Sequence, residues 1–162
     1  MRDFEFNKDY NLRDQIIFGE PYNGNVKPDF KDKSFDEFLK LVNKYYSGGV
    51  RRFDDLTIEK LKELIDRKFI DEEEQQNEGP TIKKFLIVAS KIKENDSSAE
   101  IFFHGYAVSP DRDDYRVSID AITVSTGNYN IIVDKIYEPL REMCSNADDL
   151  DIDENELYAW WD

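Results

Sequence analysis

Any chemistry in this chain must rest on carboxylates, because 162 residues include one histidine, one cysteine and 36 acids. Three acidic clusters stand out. They are Glu72, Glu73 and Glu74, then Asp111, Asp113 and Asp114, then 148–156, where Asp148, Asp149, Asp151, Asp153, Glu154 and Glu156 supply six acids in nine residues. Asp149, Asp151 and Asp153 alternate as the first ligands of a calcium loop do. The pattern then fails, with Glu154 where the loop needs glycine and Trp160 where it needs a bidentate glutamate. Arg112 and Arg116 flank the second cluster and would neutralise a turn there. His104 would have to borrow nearly every zinc ligand from carboxylates. Beside Phe102, Phe103 and Tyr106 it reads as a half-buried, hydrogen-bonded ring. Cys144 lacks a nucleophile signature, and Gly48-Gly49 follows a helical pattern, the wrong context for a phosphate loop. We therefore expect no catalytic residue, no metal and no cofactor.

Recognition is the better use of these residues. The net charge of −14 disfavours direct contact with nucleic acid or an anionic membrane and favours a basic protein partner. The charge is uneven: from Glu142 onward there are eight acids and no base. A row of carboxylates can enter a basic channel that otherwise receives phosphates, which lie one per about 1.7 Å of duplex axis. Aromatic anchors strengthen such contacts. Tyr158, Trp160 and Trp161 follow the last cluster directly. Strand alternation puts Leu157, Ala159 and Trp161 on one face and Tyr158 and Trp160 on the other, leaving Trp160 for a partner. The candidate partner-binding set is therefore the three acidic clusters plus Trp160.

The elements that must hold these residues are partly visible. Residues 1–33 are aromatic but aperiodic and broken by Gly19, Pro21, Gly24 and Pro28, so we expect an extended arm or short strand packed on the domain. Ser34 and Glu37 form a capping box that opens a helix. Phe35, Phe38, Leu39, Val42, Tyr45 and Tyr46 follow helical spacing up to Gly48-Gly49. Thr57 caps a second helix between the staple residues Leu56 and Leu61, with Ile58, Leu64 and Ile65 on its apolar stripe. Phe69 and Ile70 fold back, and 71–79 is an acidic loop. A third helix follows Pro80-Thr81, on Ile82, Phe85, Leu86, Ala89 and Ile92.

Two strands, 101–108 and 115–124, make a hairpin around 109–114. Within the second, Tyr115, Val117 and Ile119 face one way and Arg116, Ser118 and Asp120 the other. A helix on Ile132, Ile136, Leu140 and Met143 is kinked or restarted by Pro139. Residues 148–156 read as a carboxylate-rich loop, and 157–161 as a terminal strand. The expected architecture is a single α+β domain, 1–162, with helices packed on one face of a small antiparallel sheet.

The segments FDDLTIEKLKELIDRKFIDEEEQQNEGPT (53–81), FHGYAVSPDRDDYRVSID (103–120) and ADDLDIDENELYAWWD (147–162) together resemble small acidic accessory proteins of Firmicute mobile elements. The resemblance implies a mobile-element setting and supplies no catalytic residues. In size and charge the chain also resembles anti-CRISPR and anti-restriction inhibitors. The expected function is therefore inhibition of a nucleic-acid-binding enzyme, a nuclease above all, by a carboxylate-rich surface that mimics nucleic acid. An immunity protein or antitoxin against a basic toxin is the alternative, and a carboxylate-metal enzyme the third reading. One cysteine allows no intrachain disulfide, 1–10 has no apolar leader, and no run approaches the roughly 20 apolar residues of a membrane span. The expected location is the cytoplasm.

Overall fold

The computed structural model describes residues 4–162. The order of elements is α1 (Tyr10–Phe18), α2 (Phe35–Lys44), β1 (Val50–Leu56), α3 (Ile58–Asp66), α4 (Ile82–Asn95), β2 (Glu100–Val108), β3 (Val117–Ser125), a 3₁₀ turn (Lys135–Tyr137), α5 (Glu138–Met143), β4 (Asp149–Ile152) and β5 (Glu156–Trp160). The strands form one antiparallel sheet in the order β1-β2-β3-β5-β4. The fold is α+β.

The caps act where the sequence places them. The hydroxyls of Ser34, Thr57 and Thr81 accept hydrogen bonds from the amides of Glu37, Lys60 and Lys84. Each satisfies a donor that the first helical turn leaves unpaired. Leu56 and Leu61 are both buried at the start of α3, as a staple requires. Ile17 of α1 shares one core with Leu61 and Leu64 of α3, Phe85 and Ile92 of α4, and Leu140 of α5. The inward residues of the sheet, among them Phe53, Phe103, Val117, Ile122 and Leu157, complete it. Pro139 stands in the first turn of α5, where its missing N–H costs nothing, so it restarts the helix after the 3₁₀ turn.

Several expectations need correction. Residues 1–3 lie outside the described part, and 4–9 carry no regular secondary structure, with Phe6 edge-on to Tyr115 and a turn at 7–10. The arm then becomes α1, whose buried residues are Arg13, Asp14 and Ile17. A buried face that is two-thirds charged hides a helix from hydrophobic periodicity. Helix α2 stops at Lys44, four residues before Gly48, and none of its residues is buried. Two strands lie where none is expected: β1 (VRRFDDL) fills the stretch between Gly49 and Thr57, and β4 (DLDI) lies within the expected 148–156 loop. Both pair with neighbours through their backbones despite charged side chains. In β1, Arg51 turns inward beneath the Phe18 ring at 3.8 Å, binds Glu20 at 2.8 Å and donates to the Asn43 carbonyl. It thereby ties the ends of α1 and α2 to the sheet.

The alternation in β3 reverses midway. His104 pairs with Ala121 and Gly105 with Ile119, so Asp120 is an extra residue in a β-bulge. Val117 and Ile119 face the core before it, and Ile122 and Val124 after it. Gly105 is required opposite the bulge, since a Cβ there would lie 1.9 Å from the Ser118 carbonyl oxygen.

Candidate interaction surface

All the core helices cover one face of the sheet, so the outward residues of the strands form the other. The β4–β5 register sets its outer margin. Asp149 stands opposite Trp160, and Asp151 opposite Tyr158. Leu157 and Ala159 point inward and are buried, while Tyr158 and Trp160 are half-buried on the outer face. Trp161 is 2% exposed, edge-on to Phe85 at 5.4 Å, and its indole N–H donates to Asn146. The two tryptophans therefore divide as the alternation predicts.

Tyr158 is the centre of this face. Burial raises its pKa, and the charges of Asp120, Asp149 and Asp54 raise it further, while Arg52 acts in the opposite sense. Carboxylates from β1, β3 and β4 thus surround one phenol and keep it protonated. Beside it, His104 meets Tyr158 edge-on at 6.0 Å. Its Nδ1 lies 3.3 Å from Asp54 and its Nε2 3.0 Å from Thr123 Oγ1. This hydrogen bond holds the Asp54 carboxyl below its ordinary pKa, against the opposing effect of burial. Asp54, His104 and Thr123 follow the order orienting acid, base, hydroxyl. Thr123 sits in the middle of a strand paired on both sides, where the neighbouring amides serve the ladder. They are not turned toward a reacting oxygen. The string fixes the histidine ring on the sheet.

The three acidic clusters meet different fates. Arg116 joins the first two, reaching Glu74 at 3.2 Å and Asp114 at 3.0 Å. Asp114 also holds Arg112, and Glu74 accepts from Ser118. Burial raises the Glu74 pKa despite that hydrogen bond and Arg116. These acids are largely neutralised where they stand. Glu73 lies 3.9 Å from Lys83, Glu72 is half-buried, Asp111 is within 3.5 Å of the Ser109 hydroxyl, and Asp113 is exposed. In the third cluster, Asp153 accepts from the amides of Asn155 and Glu156 and shapes the hairpin turn. Asp148 accepts from the Asp162 amide. Asp149, Asp151, Glu154 and Glu156 are exposed. Asp151, Asp153 and Glu156 line a cleft of about 180 Å³ with Thr123 and Tyr158.

The structure therefore adds Asp54 and Tyr158 to the acidic face, sets Asp120 buried beneath it in a pair with Arg52, and leaves the Glu74 and Asp114 clusters cross-linked to arginine. Along β4, outward carboxylates recur about every 6.6 Å, with the next strand about 4.8 Å away. Among the described residues, no group of three or more His, Cys, Asp or Glu has the geometry to hold a metal. No helix there is long and apolar enough to cross a membrane. No protein family, curated protein or solved structure matches the chain.

Proposed function

We propose that the protein is an acidic interaction protein that occupies the basic channel of a nucleic-acid-binding enzyme, in the manner of anti-CRISPR and anti-restriction inhibitors, and so inhibits it. The exposed carboxylates of Asp54, Asp149 and Asp151 gathered around Tyr158 and Trp160 on a hydrogen-bonded sheet carry this reading. A sheet fixes charge spacing, so the partner's lysines and arginines meet an ordered array without the entropy cost of ordering a tail. The half-buried Tyr158 and Trp160 offer rings on which arginine side chains can stack. Such a contact strengthens at low salt and weakens as salt screens it.

The test is capture of partners from host extract at low and high salt, followed by competition with nucleic acid for the captured enzyme. Reversal of Asp149 and Asp151 to lysine should abolish capture and leave the circular dichroism spectrum unchanged, because both side chains are exposed. A partner that keeps its nucleic acid while bound, or survives the double reversal, would defeat the reading.

A further inference from the structure

Helix α2 carries an apolar surface that the core does not use. Phe35 is 73% exposed, and Phe38, Leu39, Val26 and Phe30 are exposed beside it. The Phe30 and Phe38 rings lie 5.3 Å apart, which joins helix and preceding loop into one patch. Contiguous exposed apolar surface of this kind marks a contact site. Its electrostatics single out the occupant. Residues 26–44 hold five lysines and four acids, a net of +1, and the remaining residues therefore carry −15. Two copies of the chain repel each other over most of their surface. At this near-neutral patch the repulsion is weak.

We propose that the α2 patch binds the same patch of a second copy, as an antiparallel helix pair about a two-fold axis. Phe35 and Leu39, four residues apart, lie on one stripe of the helix. Asp36 and Lys40, also four apart, lie along a single flank of that stripe. In an antiparallel two-fold pair, like flanks meet. Asp36 of each copy then faces Lys40 of the other, and the ion pair forms twice. The opposed helix dipoles favour the same arrangement. Helix α2 packs against β1, at the opposite edge of the sheet from β4, so pairing leaves the acidic face of each copy open. One helix per copy buries less than the roughly 1,200–2,000 Å² of a stable interface. The association is therefore reversible.

Sedimentation of the full chain over a concentration series, in about 0.15 M salt, tests this. The mass should rise from one copy toward two. Phe35→Glu should hold it at one copy with an unchanged circular dichroism spectrum. Asp36→Lys and Lys40→Asp should each weaken pairing several-fold. The double variant Asp36→Lys/Lys40→Asp should recover it, since each copy then offers both swapped charges. A single-copy mass at every concentration would overturn the proposal. So would a dimer indifferent to Phe35→Glu, a double variant weaker than either single one, or adsorption of the helix to phosphatidylserine vesicles without self-association.

Discussion

Arg52 grips Asp120 with both terminal guanidinium nitrogens, each at 3.1 Å, reaching over β2 to the bulge in β3. Burial disfavours the Arg52 charge, but the hydrogen bonds and charge of Asp120 outweigh it and raise the Arg52 pKa. Arg52 is the cation that quiets the acidic face beside Tyr158. Its guanidinium is partly exposed, but Asp120 is 5% exposed and would be left unpaired, so Arg52→Ala should cost about 1–3 kcal/mol of stability. The same variant should tighten binding to a basic partner several-fold at low salt, measured by titration calorimetry. Unchanged or weaker binding would show that Asp120 does not contribute to recognition.

Trp160 and Trp161 should separate function from stability. Trp161→Ala empties a packed site against Phe85 and should cost about 3–5 kcal/mol in denaturant unfolding. Trp160→Ala should change unfolding by less than about 1.5 kcal/mol, its ring being half in water, and should weaken partner capture at least tenfold. Equal stability losses in the two variants would refute the assignment of faces.

Arg13 and Asp14 form an ion pair with no solvent exposure, bonded at 2.8 Å. Arg13 also donates to the Val108 carbonyl and the Tyr46 hydroxyl, and Tyr46 donates to Asp14. Burial raises the Asp14 pKa against the pull of Arg13. Arg13→Ala or Asp14→Ala leaves a charge stranded and should cost about 3–5 kcal/mol. The double variant Arg13→Met/Asp14→Leu should be less harmful than the sum of two such losses. Additive losses in the double-mutant cycle would mean the two side chains act independently.

Asp96 closes the end of α4 and anchors the chain that leads to α5. Its carboxylate accepts from Thr126 at 2.5 Å, Tyr137 at 2.7 Å and Ser98 at 3.0 Å. Burial alone would raise its pKa, yet these hydrogen bonds lower it. A carboxyl depressed in the folded state stabilises the fold above its unfolded pKa of about 3.9. That contribution is lost as the pH falls through the lower folded value. Asp96→Asn should cost about 1.5–3 kcal/mol at neutral pH and should flatten the loss of stability in acid. An acid denaturation curve with the same slope in both proteins would contradict this.

Burial pushes the Cys144 thiol up to about 12. The thiolate that reacts with alkylating reagents is then negligible at neutral pH. Native protein should resist iodoacetamide, and labelling should track global unfolding as urea is added. Rapid labelling without denaturant would require local opening around α5.

Where side chains and element agreed in character, the fold was legible. Ser34, Thr57 and Thr81 announced their helices, and the β2–β3 hairpin showed in its apolar alternation. The hidden elements share a cause. In α1 the buried face holds Arg13 and Asp14, whose partners come from Tyr46 and Val108, distant in sequence. In β1, Arg51 is buried and Arg52 is not, so alternation in charge carries no signal. The bulge at Asp120 is set by the register against His104 and Gly105, which no local pattern encodes. For the candidate site, the 148–156 acids were visible as composition. Asp54 and Asp120 were not, because only the strand order brings them to Tyr158.

Strand β4 has a neighbour on one side only, and its outer edge exposes unpaired backbone together with Leu150, which is 42% exposed. Such an edge is a template for runaway stacking into fibrils. Asp149, Asp151 and Asp153 place like charges in register on any second copy that tries to add there, which makes the hairpin its own gatekeeper. Neutral substitutions at these aspartates should therefore carry a colloidal penalty as well, visible as a shorter shelf life in concentrated solution at low salt, where the repulsion between unmodified copies is unscreened.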